Sequence, residues 1–258
     1  MNNQSKPIAA IFLAVGGLCL STVSFAQCPA SPTAWTSTTQ TGGTIVVNTP
    51  GYASTTCKMV ATVTPGATEA AQVRVRDETP AGEIRYRAKF LMNANGLGVA
   101  ASNARVKIFN GQIPNGSGVF QLKLTGAASG YAVTGFASCR NSTENDGRCR
   151  FSFPLPAGDL VHRIELEWVK ATSDAATDGT LRYWVNAAGA APAPTGTAFG
   201  AGGAGLRNFN FQDGVTAQAV DQVNLGLIRP NLNYISQEVG NGVGFDEFES
   251  RRQTYIGG

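Results

Sequence analysis

Charge is scarce in this sequence. Charged residues make up 14% of the 258, against roughly 25% in an average soluble domain, which excludes a charge-rich disordered chain. Strong helix-forming windows are few, which excludes a coiled coil and a helical repeat. No run of basic residues exceeds two, Arg251-Arg252 being the clearest pair. A nucleic-acid binder needs a basic stripe or a recognition helix, so no nucleic-acid partner is expected. Histidine is limited to His162, and no Cys-x2-Cys pair exists, which argues against zinc. After residue 26 no window holds 18 apolar residues, so no membrane insertion is expected once the leader is removed.

What is present points to strands and export. Glycine is 31 of the 258 residues, well above the usual share of about 7%, and the 43% apolar content suffices for a core. Residues 1–26 read as a secretory signal peptide. Lys6 precedes an apolar stretch from Ile8 to Leu20, and Ser24-Phe25-Ala26 places small residues where a signal peptidase cuts. The expected address is secreted or periplasmic. Leu18 directly before Cys19 does not fit a lipoprotein signal. The remaining Cys28, Cys57, Cys139 and Cys149 are even in number, as disulfides in an exported chain should be. Cys139 and Cys149 bracket a turn at Asn145-Asp146-Gly147 and predict a stapled hairpin. Cys28 with Cys57 would then tie down the N-terminal arm.

Residues 27–43 read as an extended arm rich in Ser, Thr, Pro and Gly. Beyond them come many short segments with apolar residues at every second position: 44–49, 57–63, 72–76, 83–92, 104–111, 119–126, 131–138, 150–155, 162–170, 180–187, 220–228 and 243–252. Alternation sorts side chains to opposite faces of a strand. In 83–92, Ile84, Tyr86, Ala88, Phe90 and Met92 face one way and Arg85, Arg87, Lys89 and Leu91 the other. Many such strands predict an all-β, antiparallel two-sheet sandwich over 44–258. The Ala/Gly/Pro-rich segment 187–205 reads as a long loop.

Residues 162–187, HRIELEWVKATSDAATDGTLRYWVNA, resemble the strand pair of concanavalin A-like lectins and glucanases and of laminin G-like domains. VDQVNLGLI followed by GFDEFESRR resembles the closing strands of the same jelly roll. RDETPAGEIRYRAKFLMNANGL together with the C-terminal GFDEFESRRQTYIG also resembles a group of exported bacterial jelly-roll proteins. The resemblance implies a jelly roll and export. It implies little about activity, because one fold hosts many functions.

Glu165 and Glu167 share a strand face, about 6.8 Å apart by Cα, within the range at which carboxyl pairs do glycosidic chemistry. The superfamily's retaining glucanases carry E-x-D-x-x-E, and here Lys170 stands at the third acid. The plainer expectation is that both acids pair with neighbouring arginines on a solvated face. Jelly-roll polysaccharide lyases carry Gln-Ile-His and Tyr-x-Lys-x-Gly-x-Tyr strings, and neither occurs here. There is no Gly-x-Ser-x-Gly elbow either. No catalytic residue is therefore assigned. Trp184 alternates with Leu181, Tyr183 and Val185 and so sits on the polar side beside Arg182. That placement suits a ring stacking on sugar, unless the loop 187–205 covers it. With Arg182, Glu165, Glu167, Arg85 and Arg87 it forms the expected ligand surface. Asp246 is the one metal candidate: concanavalin A-like domains often bind a structural Ca²⁺ through an Asp on the final strand, though a surface Asp paired with Arg251 or Arg252 is the plainer expectation. No other cofactor is expected. The leading functional expectation is a non-enzymatic module binding a glycan or a cell-envelope partner. The alternatives are a glycoside hydrolase or polysaccharide lyase on the same fold, and a structural or adhesive protein with a protein partner.

Overall fold

The computed structural model describes residues 35–251 and Ile256, except 54, 95–96, 99–102, 115, 128–129, 139–147, 156–160, 174–175, 177, 188–191 and 198–218. The expected signal peptide, Cys28 and Cys139 lie outside the described residues.

The alternating segments become strands, which assemble into two antiparallel seven-stranded sheets of a jelly-roll sandwich. Sheet A contains β1 (Ser37–Thr41), β4 (Gln72–Asp77), β6 (Arg105–Gln112), β7 (Gly118–Ala127), β8 (Gly130–Ser138), β9 (Arg148–Pro154) and β13 (Gln222–Ile228). Sheet B contains β2 (Gly43–Asn48), β3 (Lys58–Val63), β5 (Arg85–Asn93), β10 (His162–Val169), β11 (Thr180–Val185), β12 (Gly196–Thr197) and β14 (Gly242–Arg251). The spatial order in sheet A is β1-β4-β13-β6-β7-β8-β9, and in sheet B β12-β11-β10-β5-β14-β3-β2. The expected hairpin is present: β8 pairs with β9, with Cys149 opposite Ala137.

Between the sheets lies one contiguous apolar layer. Tyr86, Phe90, Ile164, Leu166 and Trp168 enter it from sheet B, and Val106, Phe109, Leu122, Val133 and Leu225 from sheet A. Ring packs on ring: Phe109 lies 5.4 Å from Phe90 and 5.7 Å from Phe120 between centroids. Gly135 is required where the Phe151 ring crosses β8, since a Cβ there would overlap the ring.

Four details depart from the sequence reading. Part of the expected arm is the edge strand β1, paired with β4, and Trp35 just before it is buried against Phe248 at 4.7 Å. Ile84 was expected inside but is 64% exposed, because β5 begins only at Arg85. A short helix, α1 (Leu232–Glu238), capped by the Asn231 side chain on Tyr234 N, joins β13 to β14. Within the expected loop 187–205, Gly196–Thr197 adds a two-residue strand beside β11.

Period two also breaks at bulges. In β6 the register against β7 shifts between Lys107 and Phe109, so that Ile108 and the adjacent Phe109 both enter the core. Lys107 and Asn110, three residues apart, consequently share the outer face. Phe109 is the ring on which both sheets converge. Phe109→Ala is expected to cost about 3–5 kcal/mol, read as a lower urea midpoint at unchanged slope when tryptophan fluorescence follows unfolding.

Candidate functional site

The six residues expected to form a ligand surface lie together on the outer face of sheet B. Strand pairing sets Arg87 against Glu167 and Lys89 against Glu165 across β5 and β10, and Trp184 against Glu165 across β10 and β11. Arg87 Nη2 lies 2.9 Å and Arg85 Nη2 2.6 Å from Glu167 Oε2, Arg182 Nη1 lies 3.6 Å from Glu167 Oε1, and Arg87 Nε lies 3.5 Å from Glu165 Oε1. Trp184 stacks on the Arg87 guanidinium at 4.5 Å.

The expected open, solvated face is corrected here. Glu165, Glu167, Arg87 and Trp184 are all buried, with Trp184 only 4% exposed. Two neighbouring segments supply the cover. The Trp184 indole N–H donates to the Pro192 carbonyl at 3.0 Å, and the Ile256 amide donates to Glu165 Oε1 at 3.0 Å. Burial pulls the Arg87 guanidinium below its ordinary value, against the opposing pull of Glu167 and Glu165. The two buried acids are thus paired with arginines, and no sugar ring can reach the Trp184 face.

The other candidates are also tied down. His162 is buried, its Nδ1 is 3.3 Å from Asn186 Nδ2, and burial holds its imidazole below the ordinary value. Asp246 does not pair with an arginine among the described contacts. Its Oδ2 accepts from Tyr52 N at 2.7 Å and from the Thr55 hydroxyl, and its Oδ1 accepts from Glu247 N at 2.8 Å. Two of these three partners are N–H groups. That set does not fit Ca²⁺, which takes six to eight oxygens. Asp246 instead fastens the 51–55 turn to β14. The described residues contain no group of three or more His, Cys, Asp or Glu side chains able to hold a metal. Glu238 is buried at the sandwich end, where Tyr131 Oη, Gly98 N and Asn241 Nδ2 donate to it at 2.8, 2.8 and 2.9 Å. Burial and then that carboxylate push the Tyr131 phenol well up.

The open site lies across the molecule, on the outer face of sheet A. A groove of about 520 Å³ crosses β4, β13, β6, β7 and β8. Register lines its residues up at right angles to the strands. Arg76 is opposite Asn224, which is opposite Asn110; Gln121, Phe136 and Arg150 continue the same row. A second row runs through Ile228, Lys107, Lys123 and Thr134. Six positions at the inter-strand spacing span roughly 24 Å.

Amides organise the floor of the groove. Asn224 Oδ1 accepts from the Arg74 guanidinium and from Arg76 Nε at 3.0 Å, and Asn224 Nδ2 donates to Gln112 Oε1 at 2.9 Å. Gln112 Nε2 in turn donates to the Gly116 carbonyl at 2.6 Å. Asn110 is only 3% exposed, and its Oδ1 has no donor among the described residues. Burial first, then Arg76, pushes the Arg74 guanidinium down to about 10, with Glu78 opposing. Burial, then Lys123, Arg229 and Arg74, lowers the Lys107 amine. Among the described residues no Asp, Glu, His or Tyr lines this groove. Such a surface can hold hydroxyls and anions, but it offers no carboxyl pair for hydrolysis. Sequence reasoning passed over it, although the Gln72, Arg74, Arg76 alternation and the Gln121, Lys123 alternation are plain on strands already recognised.

The buried pairing on sheet B can be tested directly. Glu167→Gln is expected to lower stability by about 3–5 kcal/mol, because Arg87 is left buried without its closest charge partner. Arg182→Gln, at the half-exposed rim, should cost under about 1 kcal/mol. Thermal unfolding of the two variants side by side measures the difference.

No protein-family model and no curated protein matches the chain. Among solved structures it is similar to an endo-β-1,4-glucuronan lyase from the fungus Trichoderma reesei, at 14% identity and a TM-score of 0.56, over 85% of this chain and 91% of that one. It is also similar to the cellulose-induced protein Cip1, at 16% identity and a TM-score of 0.54, over 88% and 95% of the two chains. At these identities the likeness is one of fold, and it agrees with the jelly-roll sandwich expected from the sequence.

Proposed function

We propose that the chain is an exported, non-enzymatic jelly-roll module that binds a glycan along the groove of sheet A. The observation that carries this reading is the transverse row of outward polar side chains and one half-buried ring, Phe136, one per strand over six strands. The spacing between strands, roughly 4.8 Å, is close to the length of one pyranose unit in an extended chain. A sugar polymer laid across the strands therefore crosses a new strand at each residue, with Arg76, Gln121 and Phe136 half-buried at the surface and Asn224 and Asn110 buried in the floor. Amides take hydroxyls, and a ring face takes the apolar side of a pyranose. Two structural neighbours, a glucuronan lyase and a cellulose-induced protein, lend support of the same kind. Export is supported by the leader-like N-terminus and by Cys57, which is buried and disulfide-bonded. Its proposed partner is Cys28, with Cys139–Cys149 as the second bridge.

The absence of carboxyl, imidazole and phenol groups from the described groove lining favours binding over turnover. Affinity electrophoresis against a polysaccharide panel, with a parallel assay for new reducing ends and unsaturated products, tests this. Binding without product is expected, and Phe136→Ala should weaken it about fivefold to tenfold, a loss near ~1 kcal/mol. Product release would replace the module with the carbohydrate-active enzyme. No binding to any glycan would favour the adhesive reading with a protein partner.

A further inference from the structure

We propose that the sheet A groove selects an acidic glycan, with anionic groups of successive sugars held by Arg74, Lys107 and Lys123 and a sugar hydroxyl donating to the Oδ1 of Asn110. This rests on the glycan reading above and adds the charge of the ligand to it.

Three observations carry it. First, the groove is rich in cations: Arg74, Arg76, Lys107 and Arg229 line it and no carboxylate does among the described residues, the neighbouring Glu78 pairing with Arg76 at 3.2 Å. The outer face of sheet B, in the same molecule, gives Arg85, Arg87 and Arg182 buried carboxylates as partners. Second, the cations repel one another. Lys107 is opposite Lys123 in the β6–β7 register, and Lys123, Arg229 and Arg74 each depress the Lys107 amine. An anion placed among them relieves that repulsion, whereas a neutral sugar does not. Third, Asn110 presents a buried acceptor with no donor among the described residues, and an unpaired buried acceptor is costly until a donor arrives. A sugar hydroxyl is such a donor, and a bare anion is not. The combination therefore fits an anionic carbohydrate better than a small inorganic anion.

Carboxylated and sulfated glycans share this chemistry. The test uses the full mature chain and titrates it calorimetrically with three polymers: a polyglucuronate, the same polymer with its carboxyls reduced to alcohols, and dextran sulfate. The polyglucuronate is expected to bind at least about tenfold more tightly than its reduced form, the gain for a charge-assisted hydrogen bond. That affinity should fall as salt rises from about 50 to about 500 mM. Lys107→Gln and Lys123→Gln should each weaken polyglucuronate about tenfold, while Lys170→Gln, outside the groove, leaves it unchanged. Circular dichroism confirms that each variant is folded. A preference for dextran sulfate over the reduced polymer, without one for polyglucuronate, would support the acidic class and name sulfate as the anion. Equal affinity for polyglucuronate and its reduced form, with no preference for dextran sulfate, would overturn the charge assignment and leave glycan binding standing. Binding to none of the three would overturn both.

Discussion

A regular strand cannot show two residues an odd number of positions apart on the same face. Lys107 and Asn110 are three apart, and both line the groove. The bulge in β6 is what permits it. Ile108 and Phe109 are driven together into the core, the phase of the strand advances by one, and Asn110 emerges beside Lys107. The same device recurs in β13, where the register against β6 shifts between Leu225 and Ile228. There Gly226, at φ +139°, lies so close to the Val73 carbonyl that a Cβ would collide with it. In β14 the register shifts between Asp246 and Glu249, with Glu247 at φ +48°. Packing demands drive these changes of phase, and the placement of polar groups follows from them.

The two outer faces solve the problem of charge differently. On sheet B the cations were given acids on the neighbouring strand. Glu165 and Glu167 sit between Arg87 and Arg182, and Lys89 Nζ lies 3.8 Å from Glu247 Oε2. Once its acids were paired, the cluster could be covered, and Pro192 and Ile256 cover it. On sheet A, apart from the Arg76–Glu78 pair at 3.2 Å, the arginines face amides. An amide can orient a guanidinium, as Asn224 does for Arg74 and Arg76, but it cannot cancel the charge. Covering that face with apolar chain would strand those cations away from water, so the physics that closes sheet B keeps sheet A open.

Much of the fold was legible because alternation is a local signal. The 162–170 and 180–187 segments appear as the adjacent strands β10 and β11, and the segments around the 139–149 turn as β8 and β9. Strand β1 was not legible, since Ser37–Thr41 is polar on both sides and gains its place from pairing with β4. The site was harder to read. Alternation tells inside from outside, but not whether an outer face is covered. Trp184 and the glutamates looked informative because aromatics and paired acids are what sugar chemistry uses. Their burial depends on Pro192 and Ile256, which are remote in sequence or sit in a segment with no period. The row Arg76, Asn224, Asn110, Gln121 exists only once strand order is known, because β13 inserts between β4 and β6 from more than a hundred residues away.

The net charge of +3 over 258 residues gives no hint of this division. A small sum is compatible with strong local fields when like charges are segregated and the walls between them are apolar. Here Glu78 pairs with Arg76, whereas Glu165 and Glu167 are spent on the opposite face, some 10 Å of core away by the usual separation of packed sheets. Across that distance, and with a Debye length near 8 Å in the surrounding physiological solvent, they do little to quiet Lys107 and Arg74. A chain poor in charge can therefore hold a strongly cationic groove, because the few charges it has are sorted by sheet.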